Sequence, residues 1–283
     1  MPESATPILR LGIIADPQYA PVAPNPELGR YFRQSLDKLR TAIAFFEQED
    51  LDLIVVLGDL IDRDWDNFDP VLDILATSRH EVLCLPGNHD FAVAADKLAH
   101  VHAKIGMPSP YYDRVVNGVR LIVTDGSEIS LFAPPLDDER RIEASERLET
   151  MTKQGAANAM MWNAGMSETQ VAWLQERLTM AAQAGEKAIV LGHYPLHPFT
   201  DHALWDAPGI AELIAAPGAA VAYLCGHDHR GNYGQKNATH FINFKGMVDT
   251  EDENAFAIFQ LYADHIHIDG LGREESRRLP VSR

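Results

Sequence analysis

The stretch LGDLIDRD, Leu57–Asp64, ends the apolar run LIVVL with a glycine and then places Asp59, Asp62 and Asp64 close together. Alone, it reads as a buried strand running into a solvated turn, where Asp and Gly are ordinary. The same grammar recurs four times. LGIIADPQYA (11–20) sets Asp16 and Gln18 past an apolar run, and EVLCLPGNHD (81–90) does so with Asn88, His89 and Asp90. AIVLGHYPLHP (188–198) presents His193, and VAYLCGHDHRGNY (221–233) presents His227 and His229. Five strand ends carrying metal-liganding side chains are a pattern that chance turns explain poorly.

Apolar runs predict strands at 11–15, 53–57, 81–85, 119–124, 187–191 and 220–225, then at 239–244, 255–261 and 264–269. Between the early ones, YFRQSLDKLRTAIAFFEQ spaces Phe32, Leu36, Leu39, Ile43 and Phe46 as an amphipathic helix does. FDPVLDILATS and FAVAADKLAHVHAKIG predict two shorter helices. SETQVAWLQERLTMAAQAG predicts a longer one, with Ser167 as N-cap and Gly185 as stop. Alternating elements followed by a strand-rich tail predict an α/β fold of two packed sheets flanked by helices. Residues 126–166 are charged, then Met-rich, without strand periodicity; they read as an insertion with a helical piece, either a surface excursion or a lid over the sheet ends.

The 283 residues show no linker, and the candidate ligands run from Asp16 to His229, so a single domain is expected. An apolar fraction of 46% suffices for a large core. A formal charge of −17 argues against a duplex nucleic-acid partner but leaves a small phosphorylated substrate open, because bound cations invert the local sign. Cys84 and Cys225 lie inside apolar runs and read as buried thiols of a reducing compartment. No signal peptide and no membrane span are legible, so the expected location is cytoplasmic.

Ligands at the carboxyl ends of parallel strands converge on one crevice. A pair of metal ions needs one bridging carboxylate with further ligands on each side, and Asp59 is the natural bridge. Asp16 and Gln18, two apart on an extended segment, can reach one ion with His229, leaving Asn88, His193 and His227 for the other. Mixed Asp, Asn, Gln and His ligation suits hard or borderline divalent ions.

The blocks DPQ, GDLID, GNHD, GHYP and GHDH, in this order and after strands, resemble those of the calcineurin-like metallophosphoesterase superfamily. Gln18, where most of the superfamily has His, makes the chain similar to the manganese-dependent ADP-ribose/CDP-alcohol diphosphatase branch. So do RYFRQSL, NAGMSETQVAWL, NAFAIFQLY and GLGREESRRL. Arg63 departs from the glycine usual there. The resemblance implies a four-layer sandwich of two mixed sheets between helices. It also implies two divalent ions, Mn²⁺ first, with Fe, Zn²⁺ or Mg²⁺ as alternatives. Asp16, Gln18, Asp59 and His229 would hold one ion, and Asp59, Asn88, His193 and His227 the other. His89 would stabilise phosphoryl oxygens or protonate the leaving group, with Asp62 and Asp90 orienting it and its neighbours. The implied reaction is hydrolysis of phosphoanhydride or phosphodiester bonds by water activated at the metals, on nucleoside diphosphate conjugates. A phosphomonoesterase, a cyclic nucleotide phosphodiesterase and a non-catalytic module on the same scaffold are the alternatives. His80, His100, His102, His202, His265 and His267 receive no role; His197 and His240 read as structural or ligand-supporting groups, Tyr19 and Tyr233 as packing walls that could stack on a base, and Arg230 as either a phosphate contact or a solvated charge.

Overall fold

A computed structural model describes residues 6–218 and 220–281. Within them twelve strands form two six-stranded mixed sheets. In the first, β1 (Leu9–Ile14), β2 (Leu53–Val56) and β3 (Val82–Cys84) run parallel. β10 (Ala255–Leu261), β11 (His265–Gly272) and β12 (Arg277–Pro280) extend it antiparallel beyond β1. In the second, β5 (Val119–Val123), β6 (Lys187–Leu191), β7 (Ala220–Cys225) and β9 (Thr239–Asn243) run parallel. The antiparallel edge strands are β4 (Tyr112–Val116) and β8 (Asn232–Lys236).

The period-two alternation of strands explains how the sheets meet. Leu121, Val123, Ile189, Leu191, Ala222 and Leu224 point inward and share one core with Leu11, Ile13 and Val55 of the first sheet. Their neighbours Ile122, Val190 and Tyr223 point outward against α5 (Glu168–Ala184) and α6 (Ala207–Ile214), through Leu174, Leu178, Ile210 and Ile214. On the far side, α1 (Ser35–Phe46) lays Phe46 edge-on against Phe256 of β10. A Cβ on Gly12 would crowd that ring at 3.0 Å, so the bare backbone of β1 sets how closely α1 packs. The result is the expected four-layer sandwich.

Ser167 caps α5 by accepting from the N–H of Gln170 at 3.1 Å, and Gly185 ends it at φ +69°, as predicted. α2 (Phe68–Leu75) is the shorter helix expected there. The segment FAVAADKLAHVHAKIG is instead a 3-10 turn, Ala95–His100, followed by one turn of helix, α3 (Val101–Lys104). Strands β4, β8 and β12 were not predicted: all are edges whose residues are largely half-buried or exposed, so no apolar run marks them. The inserted segment contains α4 (Glu139–Lys153), capped by Asp138 through the N–H of Arg140. No helix among the described residues is long and apolar enough to cross a membrane.

Candidate metal centre

The candidate ligands all lie two to four residues past the ends of the parallel strands β1, β2, β3, β6 and β7. Asp16, Gln18, Asp59 and His227 adopt positive φ (48°, 48°, 51° and 69°), which costs a non-glycine residue on the order of 1–3 kcal/mol. The surrounding backbone enforces it: Gln18 N–H donates to the Asp59 carbonyl at 2.7 Å, and Asp16 N–H to that of Gly58 at 3.2 Å. Glycine is required beneath them. A Cβ at Gly87 would collide with the Asp59 carboxylate and the His193 ring, and one at Gly226 with the Asp16 carboxylate.

Two clusters of donor atoms result. Asp59, His193 and His227 form one, Asp16, Asp59 and His229 the other, each with its ligand atoms within 4.8 Å of one another. Asp59 is common to both. His193 Nε2 is 3.5 Å from Asp59 Oδ2, and His229 Nε2 is 3.5 Å from Asp16 Oδ1. The other ring nitrogens are engaged: His193 Nδ1 with the Leu57 carbonyl at 2.8 Å and His229 Nδ1 with Asp249 at 2.9 Å. His227 Nε2 lies 3.0 Å from Asn163 Oδ1. Such partners fix which nitrogen of a metal-binding imidazole is free.

The amide oxygens Gln18 Oε1 and Asn88 Oδ1 are buried without a hydrogen-bond partner. Leaving a buried acceptor bare costs about 1–3 kcal/mol, so two such oxygens on these loops fit a site that supplies cations. The residues present therefore suit a pair of divalent ions: two carboxylates, three imidazoles with oriented nitrogens and two neutral oxygens.

The electrostatics agree. Burial raises the Asp16 carboxyl above its usual range against the pull of His229 and His193. Burial works the same way on Asp59, but His193, His89 and His227 together hold it well below that range. Burial opposes the charge on His193, yet Asp59 and Asp16 push it up to about 9. Burial, then the like charge of His193, depress His227 well below an ordinary histidine.

His89 differs from the ligands. Its side chain is 37% exposed, whereas those of His193 and His229 are buried, so it faces the open side of the centre. Its backbone N–H donates to Asp59 Oδ1 at 2.8 Å, and its Nδ1 meets the carboxylate and the carbonyl of Asp62, each at 3.1 Å. Burial works to lower its pKa, but Asp59 and Asp62 outweigh it and bring His89 to about 9. The opposite Asp62 oxygen accepts from Arg63 Nε at 2.5 Å, and Arg63 is otherwise half-exposed. Asp90 accepts from the N–H groups of Ile61 (3.1 Å) and Gly87 (2.9 Å), tying the loop after β2 to the loop after β3. Burial, then the nearby Asp59 charge, raise Asp90 to about 7.

The histidines without a role mostly make structural bonds. His80 meets the Phe46 carbonyl, His102 pairs with Asp125, and His240 bridges Tyr233 and the Pro280 carbonyl. His197 packs on Phe241, and His202 lies beside the His227 ring. Tyr19 bridges to Ile61, and Arg230 pairs with Asp228. Two contributors were not legible in the sequence. Asp249 lies in the acidic stretch DTEDE, which resembles a solvated turn, and Asn163 lies in the inserted segment.

A family model described as calcineurin-like phosphoesterase matches residues 9–231. The manganese-dependent ADP-ribose/CDP-alcohol diphosphatase of Xenopus laevis is 27% identical, over 96% of this chain and 90% of its own. The protein of the same name from Danio rerio is 24% identical, over 98% and 99%. The crystal structure of a dimetal phosphatase from Danio rerio superimposes with a TM-score of 0.87 at 24% identity, over 98% of this chain and all of that one.

Proposed function

Because this chain belongs to the calcineurin-like phosphoesterase family, we propose that it is a metal-dependent hydrolase of nucleoside diphosphate conjugates such as ADP-ribose or CDP-alcohols. The observation that carries the reading is the pair of donor clusters sharing Asp59, in a chain alike nearly end to end to relatives named for that reaction. Asp16, Gln18, Asp59 and His229 would hold one divalent ion, and Asp59, Asn88, His193 and His227 the other, manganese being the ion in the relatives' name. When bound, such ions polarise phosphoryl oxygens and bring the pKa of water at the centre towards about 7.

The chain's own residues do the rest. Water adds to one phosphorus, the bridging oxygen leaves with the other phosphate, and that oxygen needs either a proton or a positive neighbour. His89, facing outward with Nδ1 bound to Asp62, presents Nε2–H for that purpose. Asp62 fixes the ring's direction, and Asp90 keeps the two loops in register. Two carboxylates neutralise only half the charge of two divalent ions, so the centre attracts an anionic substrate although the chain as a whole carries −17.

We read the chain as one phosphoesterase domain, with 126–166 lying against the centre as a wall. Both sheets contribute to one core and to both donor clusters, which supports that reading. Its two cysteines, free and buried, support a reducing, cytoplasmic setting.

The test is product analysis with Mn²⁺ on ADP-ribose and CDP-choline, each expected to give two phosphomonoesters. AMP should release little inorganic phosphate. Turnover of AMP or cyclic AMP much faster than that of both conjugates would replace this reading with a phosphomonoesterase or a cyclic phosphodiesterase.

A further inference from the structure

We infer that Asn163, from the inserted segment, is a positioning residue that makes His227 competent to bind metal, an inference that rests on the metal-centre reading above. The amide of Asn163 is fully buried and its orientation is fixed. Nδ2 donates to the carbonyls of Asn158 at 3.0 Å and Asp201 at 2.7 Å, and carbonyls can only accept. Oδ1 must therefore face the His227 ring, 3.0 Å from Nε2. An amide oxygen is also only an acceptor, so His227 Nε2 carries the hydrogen and Nδ1 keeps its lone pair.

That lone pair has one place to go. His227 Nδ1 lies 3.2 Å from His193 Nε2. The His193 ring is set by the same logic, since its Nδ1 donates to the Leu57 carbonyl at 2.8 Å, so Nε2 is the nitrogen that holds either a proton or a metal ion. Once His193 has given up its Nε2 proton, two nitrogen lone pairs face each other at this separation, an arrangement that a cation between or beside them relieves. Asn163 thus turns the ring pair into half of a cation site, and in the other tautomer His227 would point a hydrogen at His193.

The inserted segment is anchored so that this contact holds. Asn158 Nδ2 reaches the carbonyls of Ala203, Leu204 and Trp205, and the N–H of Trp205 donates to the Ala164 carbonyl at 2.8 Å. Arg147 of α4 bonds both Asp206 and the Met166 carbonyl. The insertion thereby reaches the metal centre through Asn163.

The experiment is calorimetric titration of the metal-stripped protein and its variants with Mn²⁺, with thermal melts alongside. Wild type should bind two ions. Asn163→Leu should bind one as before and the second about 10- to 100-fold more weakly, the usual loss when such a partner is removed. Asn163→Asp keeps the acceptor and loses both donor bonds; it should melt lower yet bind both ions within a few-fold of wild type. Asn158→Ala loosens the same loops without touching His227 and should likewise keep both affinities. Two unaltered affinities in a folded Asn163→Leu protein overturn the inference. So does an Asn163→Asp or Asn158→Ala protein that loses as much as Asn163→Leu. If wild type binds no Mn²⁺, the metal-centre reading itself falls.

Discussion

The backbone N–H of His89 donates to Oδ1 of Asp59 at 2.8 Å, so the residue assigned to substrate is tethered to the carboxylate common to both donor clusters. The tether is main chain and the function is side chain, which separates them experimentally. His89→Ala keeps the N–H, and it should retain both metal ions while losing turnover by about 10²–10⁴-fold. Metal content and kcat measured on the same preparation check this; loss of an ion would make His89 a ligand.

Gln18 brings a bare, neutral oxygen to its cluster. Oxygen donors favour harder ions than imidazole does. Gln18→His should shift activation from Mn²⁺ towards Zn²⁺ or Co²⁺. Activity profiles across a metal series, taken for both proteins, decide it: identical profiles would show that position 18 does not tune the centre.

Burial pushes the Cys84 thiol up to about 12 and Cys225 well above its ordinary value. At pH 8 a thiol of pKa about 12 is thiolate in only about one molecule in 10⁴, so native protein should resist a disulfide reagent and react with it on unfolding. The sign for stability follows. Between an unfolded pKa of about 8.5 and a folded one near 12, the native thiol holds a proton that the unfolded chain has lost. The contribution is thus fully present below about pH 8.5 and falls as pH rises through that window. Reaction rates against pH, and melts from pH 8 to 11 for wild type and Cys84→Ala, test both statements.

Ser167 accepts from the N–H of Gln170 at the start of α5, the helix that covers the outer face of the second sheet. Ser167→Ala should cost about 1 kcal/mol, lowering the melting temperature by about 2–4 °C, with metal content unchanged. A melt equal to wild type would show that the Ser167 N–H bond to Glu128 holds this end without the hydroxyl.

Legibility tracked burial. The parallel strands and the loops after them were readable because a strand buried on both faces must be apolar and must end before its charges begin. Asp16, Asp59, Asn88, His193 and His227 all lie just past such an end. Strands β4, β8 and β12 escaped because edge residues such as Arg114, Gln235 and Arg278 satisfy water as well as the sheet. Helix α6 escaped because Ala207–Ile214 is only eight residues long and has Pro208 and Gly209 in its first turn, a pair that reads as a loop. Asn163 and Asp249 escaped for a different reason. A residue that orients a ligand needs one acceptor in one place, and nothing in the local sequence records which ring it will meet.

The pairing of β1 between β2 and β10 dictates when the molecule can assemble. Leu9–Ile14 is made well before Ala255–Leu261, the strand that its second edge needs as a partner. Until then an unpaired apolar strand is open to other chains, the hazard of any exposed edge. His227 and His229 arrive scarcely sooner, so neither donor cluster can close on a nascent chain that has not reached them. Truncated chains should therefore be aggregation-prone and metal-free together, and folding should be slow for so many long-range pairings.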